Sequence, residues 1–359
     1  MNQVGKIEFR KINRISPSQF YSMKNCAYKS LLAEAFGKRP LLPVSPNAYF
    51  GTVLHKMLEL ISKGAVRNED DFNRMFDEQV KTVEENLQKQ ECYFFIPLQK
   101  NVKDFGMKKI LLKRHLRALS EHQPKNSSAK YNSEKWFESK DKLIAGKIDL
   151  VIEAADEVEI IDFKTGAITQ ELLDDAGETF SEVKEEYKEQ LKLYAYLYFE
   201  ETGSFPTSLS LVDLAKQKFA VSFSQAECKS IFDEAKRLLQ TTNESISKGV
   251  FAANPTKANC KYCLYRPACG FFLKQLETDY SFNDVTGSVI DVVNYKSGTV
   301  SVFLENCNRR ITITSFPSEV YDELNGRRGE QISIYNLRKE ATEFVYSFTK
   351  TTKMFEHAG

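Results

Sequence analysis

The chain has 359 residues, a formal net charge of +1 and a hydrophobic fraction of 42%. This length and apolar content suffice for one large domain and a smaller one, and they exclude wholesale disorder. The near-neutral charge excludes a strongly basic coat, although a local basic groove for nucleic acid remains compatible with it. No stretch of 18 apolar residues occurs and residues 1–10 lack an apolar signal region, so we expect a cytoplasmic protein without a membrane partner.

The N-terminal part of the chain is predicted to be mainly helical. Residues 16–36 read as one helix that contains Cys26, and residues 49–62 as a second helix that carries His55. The segment at about 66–130 is rich in Glu, Lys, Gln and Leu. This composition predicts a helical insertion.

Strands and helices alternate in the next part of the chain. At 143–153, Ile148 and Leu150 fall on one face with a period of two, while Lys147 and Asp149 fall on the other. Such a mixture of elements predicts an α/β core. The predicted elements are strands at 132–140, 143–153 and 157–164, a mobile polar loop at 167–183, a helix at 184–201, a hairpin at 207–224 and a helix at 225–247.

Residues 284–359 differ in kind from the preceding part. Three predicted strands, a short helix and two further strands match the order of a small five-stranded OB-type barrel. Such barrels bind single strands by stacking bases on aromatic side chains, and docking onto a protein is the alternative. The candidate stacking residues are Tyr295, Phe303, Tyr335 and Phe348.

An acidic and lysine constellation lies in the predicted strands. Asp162 and Lys164 are two residues apart, so their side chains share one face, and Asp149 on the preceding strand lies beside them. Two neighbouring carboxylates repel each other, and Mg²⁺ relieves that repulsion while activating a water. His55 as a nitrogen ligand would favour Mn²⁺. The alternative for each residue is a structural or solvated position. The nearby Glu134 is a candidate for a water-mediated metal contact, but we interpret it as a surface strand residue.

The order of four short motifs is more specific than any one of them. Gln190 and Tyr194 are four residues apart on a predicted helix and therefore share a face, where they hold a DNA backbone or brace the lysine. The motifs are G-x-x-x-H at 51–55, G-x-x-D at 146–149, D-x-K at 162–164 and Q-x-x-x-Y at 190–194.

Four cysteines form a second candidate site. The segment C-K-Y-C-L-Y-R-P-A-C supplies Cys260, Cys263 and Cys269, and Cys26 is the candidate fourth ligand. Thiols this close in sequence bind a soft metal or a cluster more readily than they form disulfides. Zinc on four sulfurs is the alternative to an iron–sulfur cluster. A DNA-contacting surface and a solvated rim are equally open for the interleaved residues Lys257, Lys261, Tyr262, Tyr265 and Arg266.

These motifs resemble the RecB-like branch of the PD-(D/E)XK nuclease superfamily, and in particular its iron–sulfur members such as the AddB nuclease domain and the CRISPR adaptation nuclease. The resemblance covers about residues 14–275, apart from much of the helical insertion. It implies a restriction-endonuclease-like α/β core. The residues carried over are His55, Asp149 and Asp162 as ligands of Mg²⁺ or Mn²⁺, Lys164 as the catalytic lysine, Gln190 and Tyr194 as its support, and Cys26, Cys260, Cys263 and Cys269 as ligands of a 4Fe–4S cluster.

The resemblance predicts a divalent-metal-dependent deoxyribonuclease, which we expect to be an exonuclease acting on single-stranded DNA or on DNA ends and flaps. The predicted domains are a RecB-like nuclease domain with the cluster at 1–279 and an OB-like barrel at 284–359. The alternative is a non-catalytic DNA-binding or adaptor subunit of a helicase–nuclease complex. Because no helicase P-loop occurs, unwinding would require a helicase partner, and another repair or defence protein is a further candidate partner.

Overall fold

The structure is a computed structural model that describes residues 1–121, 130–155, 157–173 and 179–356. These residues form two compact units. The motif unit comprises residues 12–24 and 45–244, and the cysteine unit comprises residues 1–11, 25–44 and 245 onward. Within the described ranges, no helix combines the length and the apolarity that crossing a membrane requires.

The helices and strands follow in chain order, with labels used below. The α-helices are α1 (Pro17–Asn25), α2 (Ala27–Ala35), α3 (Pro46–Ser62), α4 (Glu69–Lys89), α5 (Leu98–Asn101), α6 (Phe105–Glu121), α7 (Glu185–Thr202), α8 (Gln225–Lys248), α9 (Lys257–Cys260), α10 (Gly270–Leu276) and α11 (Tyr321–Asn325). The strands are β1 (Lys130–Glu138), β2 (Ala145–Ala154), β3 (Glu157–Lys164), β4 (Thr169–Leu173), β5 (Thr179–Val183), β6 (Ser208–Asp213), β7 (Lys218–Ala220), β8 (Val285–Asn294), β9 (Thr299–Asn306), β10 (Arg309–Pro317), β11 (Gln331–Tyr335), β12 (Arg338–Lys339), β13 (Val345–Ser347) and β14 (Lys353–Glu356).

A mixed sheet with the order β1-β2-β3-β6-β7 lies at the centre of the motif unit. β3 and β6 pair in parallel, whereas the other neighbours are antiparallel. The apolar face of this sheet packs against α7, because both contribute fully buried aliphatic side chains to one core. That core includes Ile148, Val151, Ile160, Leu191, Leu197, Leu209 and Leu211. The expected mixed α/β architecture is therefore confirmed.

The predicted insertion is helical in its described part. Asn68 is the N-cap of α4, and its side chain accepts a hydrogen bond from the Asp71 amide at 2.8 Å. The first turn of α4 is acidic, which suits a helix N-terminus. The second core of the motif unit lies here, with Phe50, Phe72 and Phe76 fully buried. Residues 122–129 at the end of the predicted insertion lie outside the described ranges.

Two local predictions differ from the structure. The helix expected at 16–36 is two helices, because Cys26 has an extended backbone (φ −158°, ψ 93°) and stands at the N-cap of α2. The loop expected at 167–183 contains the β4–β5 hairpin, in which Leu172 and Phe180 form an apolar cross-strand pair. Residues 174–178 lie outside the described ranges.

The C-terminal residues form a curled half-barrel sheet with the described order β12-β13-β10-β9-β8-β11-β14. β8, β9 and β10 are an antiparallel meander, β11 returns to pair with β8, and β13 pairs in parallel with β10. Register shifts in β8–β9 and β9–β10 bend the sheet. The last of the five predicted strands corresponds to the short β13, and β14 was not predicted from the sequence.

Candidate active site and cysteine site

Adjacent strands place Asp149, Asp162 and Lys164 together. The antiparallel register of β2 and β3 pairs Leu150 with Ile161, so the next positions along the strands are Asp149 and Asp162. The Phe163 amide donates a 2.7 Å hydrogen bond to Asp149 Oδ2. The three residues therefore converge as the period-two pattern predicted.

Gln190 joins the acid to the lysine. Its Nε2 donates to Asp162 Oδ1 at 2.9 Å, and its Oε1 accepts from Lys164 Nζ at 2.8 Å. Asp162 is 4% exposed, and Lys164 Nζ lies 2.7 Å from Asp162 Oδ2. Among the described residues this oxygen makes no hydrogen bond of regular geometry, so the lysine holds it by charge. Such an oxygen can accept a cation when the lysine moves aside.

The electrostatics of the acidic pair favour a bound cation. Burial, followed by the neighbouring charge of Asp162, raises the pKa of Asp149 to about 8. The Asp149 carboxyl is therefore largely protonated near pH 7 in the metal-free protein. A divalent ion would offset both the cost of burying the carboxylate and its repulsion by Asp162. The acidic pair is therefore a candidate site for a hard cation.

His55 and Glu134 complete one wall of the site. Both line a pocket of about 190 Å³ together with Asp149. Burial lowers the pKa of His55, so its ring is neutral at pH 7 and able to serve as a nitrogen ligand. Glu134 has a left-handed backbone (φ 57°) and an ion pair with Lys147. Our interpretation of Glu134 as a surface residue is wrong, because its side chain is 18% exposed and lines the pocket.

Tyr194 braces β2 from the helix. Its hydroxyl donates a 2.9 Å hydrogen bond to the Lys147 carbonyl, and its ring is buried over Gly146. Burial also raises its pKa, which keeps the hydroxyl protonated. In this structure Tyr194 supports the strand that carries Asp149.

Tyr187 is a neighbour of the lysine that the motifs did not identify. Lys164 Nζ lies 4.3 Å from the centre of the Tyr187 ring, within the range of a cation–π interaction. Tyr187 is three residues before Gln190 on α7, so both side chains project from one face. That spacing is the only sequence signal that would have pointed to Tyr187.

The four predicted cluster cysteines line one pocket. Cys26 and Cys269 stand at the N-caps of α2 and α10, and Cys260 is the last residue of α9. Burial raises the pKa of Cys260 to about 12 and that of Cys269 to about 11, and it also raises the pKa of Cys263. These thiols are therefore neutral without a metal, and ligation would release protons.

At neither site are the side chains placed as ligands of one metal ion. In the part of the chain that the structure describes, no three His, Cys, Asp or Glu side chains meet as the ligands of one ion. At the active site, Lys164 stands next to Asp162. At the cysteine site, the four thiols line one pocket.

Comparison with known proteins decides the family. The family model of the PD-(D/E)XK nuclease superfamily matches residues 14–270, well over half of the chain. The chain belongs to the PD-(D/E)XK nuclease superfamily. The match spans all four motifs of this nuclease and the four candidate cluster cysteines.

Other comparisons add little about this nuclease. No curated protein sequence matches it significantly. Among solved structures, the crystal structure of a "Putative exonuclease" from Eubacterium rectale is similar, with 11% identity and a TM-score of 0.42. The similarity covers 70% of this chain and 87% of that chain. It is too distant to indicate an activity.

Proposed function

We propose that this nuclease is a divalent-metal-dependent deoxyribonuclease that cuts single-stranded DNA, or DNA ends and flaps, as an exonuclease. The observation that carries the proposal is the convergence of Asp149, Asp162 and Lys164 on adjacent strand positions, with Asp149 lining a pocket. Family membership supports nuclease chemistry, whereas the choice of DNA and of end-directed cutting is ours.

The donor set fits a hard cation with some nitrogen affinity. His55, Asp149 and Asp162 would hold Mg²⁺ or Mn²⁺, and the buried Asp162 oxygen held only by charge is the observation that favours this. The bound ion would polarise a phosphate and activate a water for in-line attack. Lys164 would then turn from Asp162 towards the phosphate, where its ammonium group offsets developing negative charge.

Gln190 and Tyr194 would act through their neighbours. Gln190 contacts both Asp162 and Lys164, so it sets the distance between ligand and ammonium group. Tyr194 fixes the backbone at Lys147, two residues before Asp149. We therefore assign both residues to positioning, and we propose no direct DNA contact for Tyr194.

The decisive experiment compares Lys164→Ala with Lys218→Ala. Lys218 on β7 is 53% exposed and forms an ion pair with Glu159 on β3, two strands away in the same sheet, so it is a matched control. End-labelled single-stranded and duplex DNA would be incubated with Mg²⁺ or Mn²⁺. Removal of a group that acts on the proton or charge of the transition state lowers the rate by about 10²–10⁴-fold. Lys218→Ala should cut like the wild type.

Two results would contradict this proposal. Undiminished cleavage by Lys164→Ala would remove the lysine from the mechanism. DNA binding without divalent-ion-dependent cleavage by the wild type would instead identify a non-catalytic DNA-binding or adaptor subunit, such as one that serves a helicase. The presence of Asp149, Asp162 and Lys164 together favours the catalytic function over the non-catalytic one.

We also propose a structural 4Fe–4S cluster on Cys26, Cys260, Cys263 and Cys269. Zinc bonded to four sulfurs at about 2.3 Å would draw those sulfurs to roughly 4 Å from one another. The four thiols line one pocket and do not meet as ligands of a single ion among the described residues, which favours a larger group. A bound cluster would supply a crosslink between the segment at 25–44 and the segment after Ser245. Iron and sulfide analysis of anaerobically purified protein tests this, and stoichiometric zinc without iron would contradict it.

For the C-terminal half-barrel we propose an OB-type fold that holds single-stranded DNA. The return of β11 to β8 after a three-strand meander and a helix supports this topology. Of the four candidate stacking residues, Tyr295 is 46% exposed, whereas Tyr335 is fully buried and unsuited to stacking. Tyr295→Ala should weaken binding of a single-stranded oligonucleotide by about 5–100-fold if one base stacks there. Unchanged affinity would favour protein docking.

A further inference from the structure

A buried arginine lies within the cysteine loop. Arg266 is 4% exposed, and its Nη1 donates to the carbonyls of Cys260 at 2.9 Å and Cys263 at 2.6 Å. A third carbonyl, that of Lys261, lies 3.3 Å from the same nitrogen. One edge of the guanidinium group therefore holds the backbone that presents two of the four thiols.

The other edge of the guanidinium group contacts the C-terminal sheet. Arg266 Nε donates to Asp284 Oδ2 at 2.6 Å, and Nη2 donates to Asn336 Oδ1 at 2.8 Å. Asp284 immediately precedes β8 and is 5% exposed, and its Oδ1 accepts from the Asn336 amide at 2.8 Å. Asn336 immediately follows β11. Arg266 thus joins three chain segments of the cysteine unit.

This arrangement corrects the view of Arg266 as a DNA-contacting or solvated residue. A buried charge is tolerated only when its partners compensate it, and here one carboxylate and several oxygens do so. Arg266 also lines the cavity of the four cysteines. Its positive charge therefore lies beside thiols that ligate metal as anions.

We propose that Arg266 is a positioning residue that preforms the cysteine loop for its metal group and couples the loading of that site to the C-terminal sheet through Asp284 and Asn336. The inference rests on the proposed cluster. A bound group would hold the loop through its thiols while Arg266 holds it through its carbonyls. Ordering of the loop on loading would therefore extend to the start of β8 and to the turn after β11.

The test uses the full chain with the double substitution Arg266→Met and Asp284→Asn, because the single change would leave a buried carboxylate unpaired. The control is Arg328→Met with Asp291→Asn, which removes an Arg–Asp pair of the same unit that is 48% and 41% exposed. Both proteins and the wild type are loaded anaerobically with iron and sulfide. Iron release to a chelator and hydrogen–deuterium exchange at 284–289 and 331–337 are then measured.

In the wild type and the control, loading should slow exchange in both segments. In the Arg266/Asp284 variant, iron should leave about tenfold faster or more, as is typical when a partner behind a metal ligand is removed, and loading should no longer slow exchange. A loaded variant with wild-type iron release and a wild-type exchange response would overturn the inference and leave the cluster proposal intact. A wild type that takes up no metal would overturn both. Thermal unfolding of the metal-free proteins confirms that the variant is folded.

Discussion

Replacement of Gly146 by alanine tests how tightly α1 and α7 pack on the active-site strand. An added Cβ would lie 2.8 Å from Pro17 Cδ and 3.0 Å from Tyr194 Cε1. Neither ring can yield as a flexible side chain would, since Tyr194 is 4% exposed and hydrogen-bonded to the Lys147 carbonyl. The new methyl group must therefore displace β2, which carries Asp149 three residues later.

The expected sign of the change in the free energy of unfolding follows from two opposing effects of the Gly146→Ala substitution. Replacing a glycine inside a strand favours folding by about 0.5–1 kcal/mol, because the unfolded chain loses conformational freedom. Overpacking a filled site costs about 1–3 kcal/mol. Both contacts of the added carbon are at or below 3.0 Å, so overpacking should win. We expect a net loss of about 1–2 kcal/mol, with a decrease of about 2–4 °C in Tm per kcal/mol.

A matched control exists in the same unit. Gly106 lies in the first turn of α6, and a Cβ added there would meet no described atom within 4 Å. Gly106→Ala should therefore be neutral or stabilise the protein by up to about 1 kcal/mol. The same chemical change thus has opposite predicted signs at the two glycines.

The assay is urea unfolding followed by tryptophan fluorescence. The only tryptophan of the chain, Trp136, lies on β1 opposite Lys147, directly beside the perturbed position. A Gly146→Ala protein within about 0.5 kcal/mol of the wild type would refute the close-packing argument. Equal losses at Gly146 and Gly106 would show that backbone effects, and not the two rings, decide the outcome.

Three further outcomes are expected. Tyr187→Phe should cleave at the wild-type rate, because the ring that contacts Lys164 is kept. Tyr187→Leu should lower the cleavage rate by about 2–30-fold, the range expected for loss of a cation–π contact. Equal rates for the two variants would contradict this role. Because burial and Asp162 raise the folded-state pKa of Asp149 from 3.8 to about 8, the stability of the metal-free protein should fall as the pH rises from about 4 to about 8 and then level off. Thermal unfolding in EDTA measures this, and an unchanged slope in Asp149→Asn would exclude Asp149 as its source. Cys269→Ser should lose bound iron and thermal stability, whereas Cys307→Ser, at an exposed cysteine, should lose neither.

The active-site convergence could be predicted because it depends on short-range geometry. The two-residue spacing of Asp162 and Lys164 fixes their common face, and the short connection between β2 and β3 makes these strands neighbours. Gln190 reaches both residues from α7, which covers the same sheet. Local periodicity together with adjacent strands therefore determines most of this site.

Other contacts depend on backbone conformations that the sequence pattern does not predict. Glu134 enters the pocket at a left-handed residue that interrupts the pairing of β1 with β2, and its sequence alone is typical of an exposed strand. Cys26 lies between two helix-favouring segments, yet its extended backbone separates α1 from α2. In each case the tertiary surroundings decide a backbone angle for which the local residues show no strong preference.

Buried charge is compensated to different degrees around Arg266 and around the acidic pair, and this difference distinguishes the roles of the two sites. Around Arg266 the compensation is complete, because an equally buried carboxylate and a set of carbonyls surround the cation. Around Asp149 and Asp162 it is incomplete, since one ammonium group faces two carboxyls, and burial followed by the charge of Asp162 raises the pKa of Asp149. A compensated cation has no charge to offer a phosphate, whereas an undercompensated acidic pair attracts a divalent ion. Any DNA contact by the cysteine loop must therefore come from exposed residues such as Lys261 and Tyr262, because Arg266 is buried.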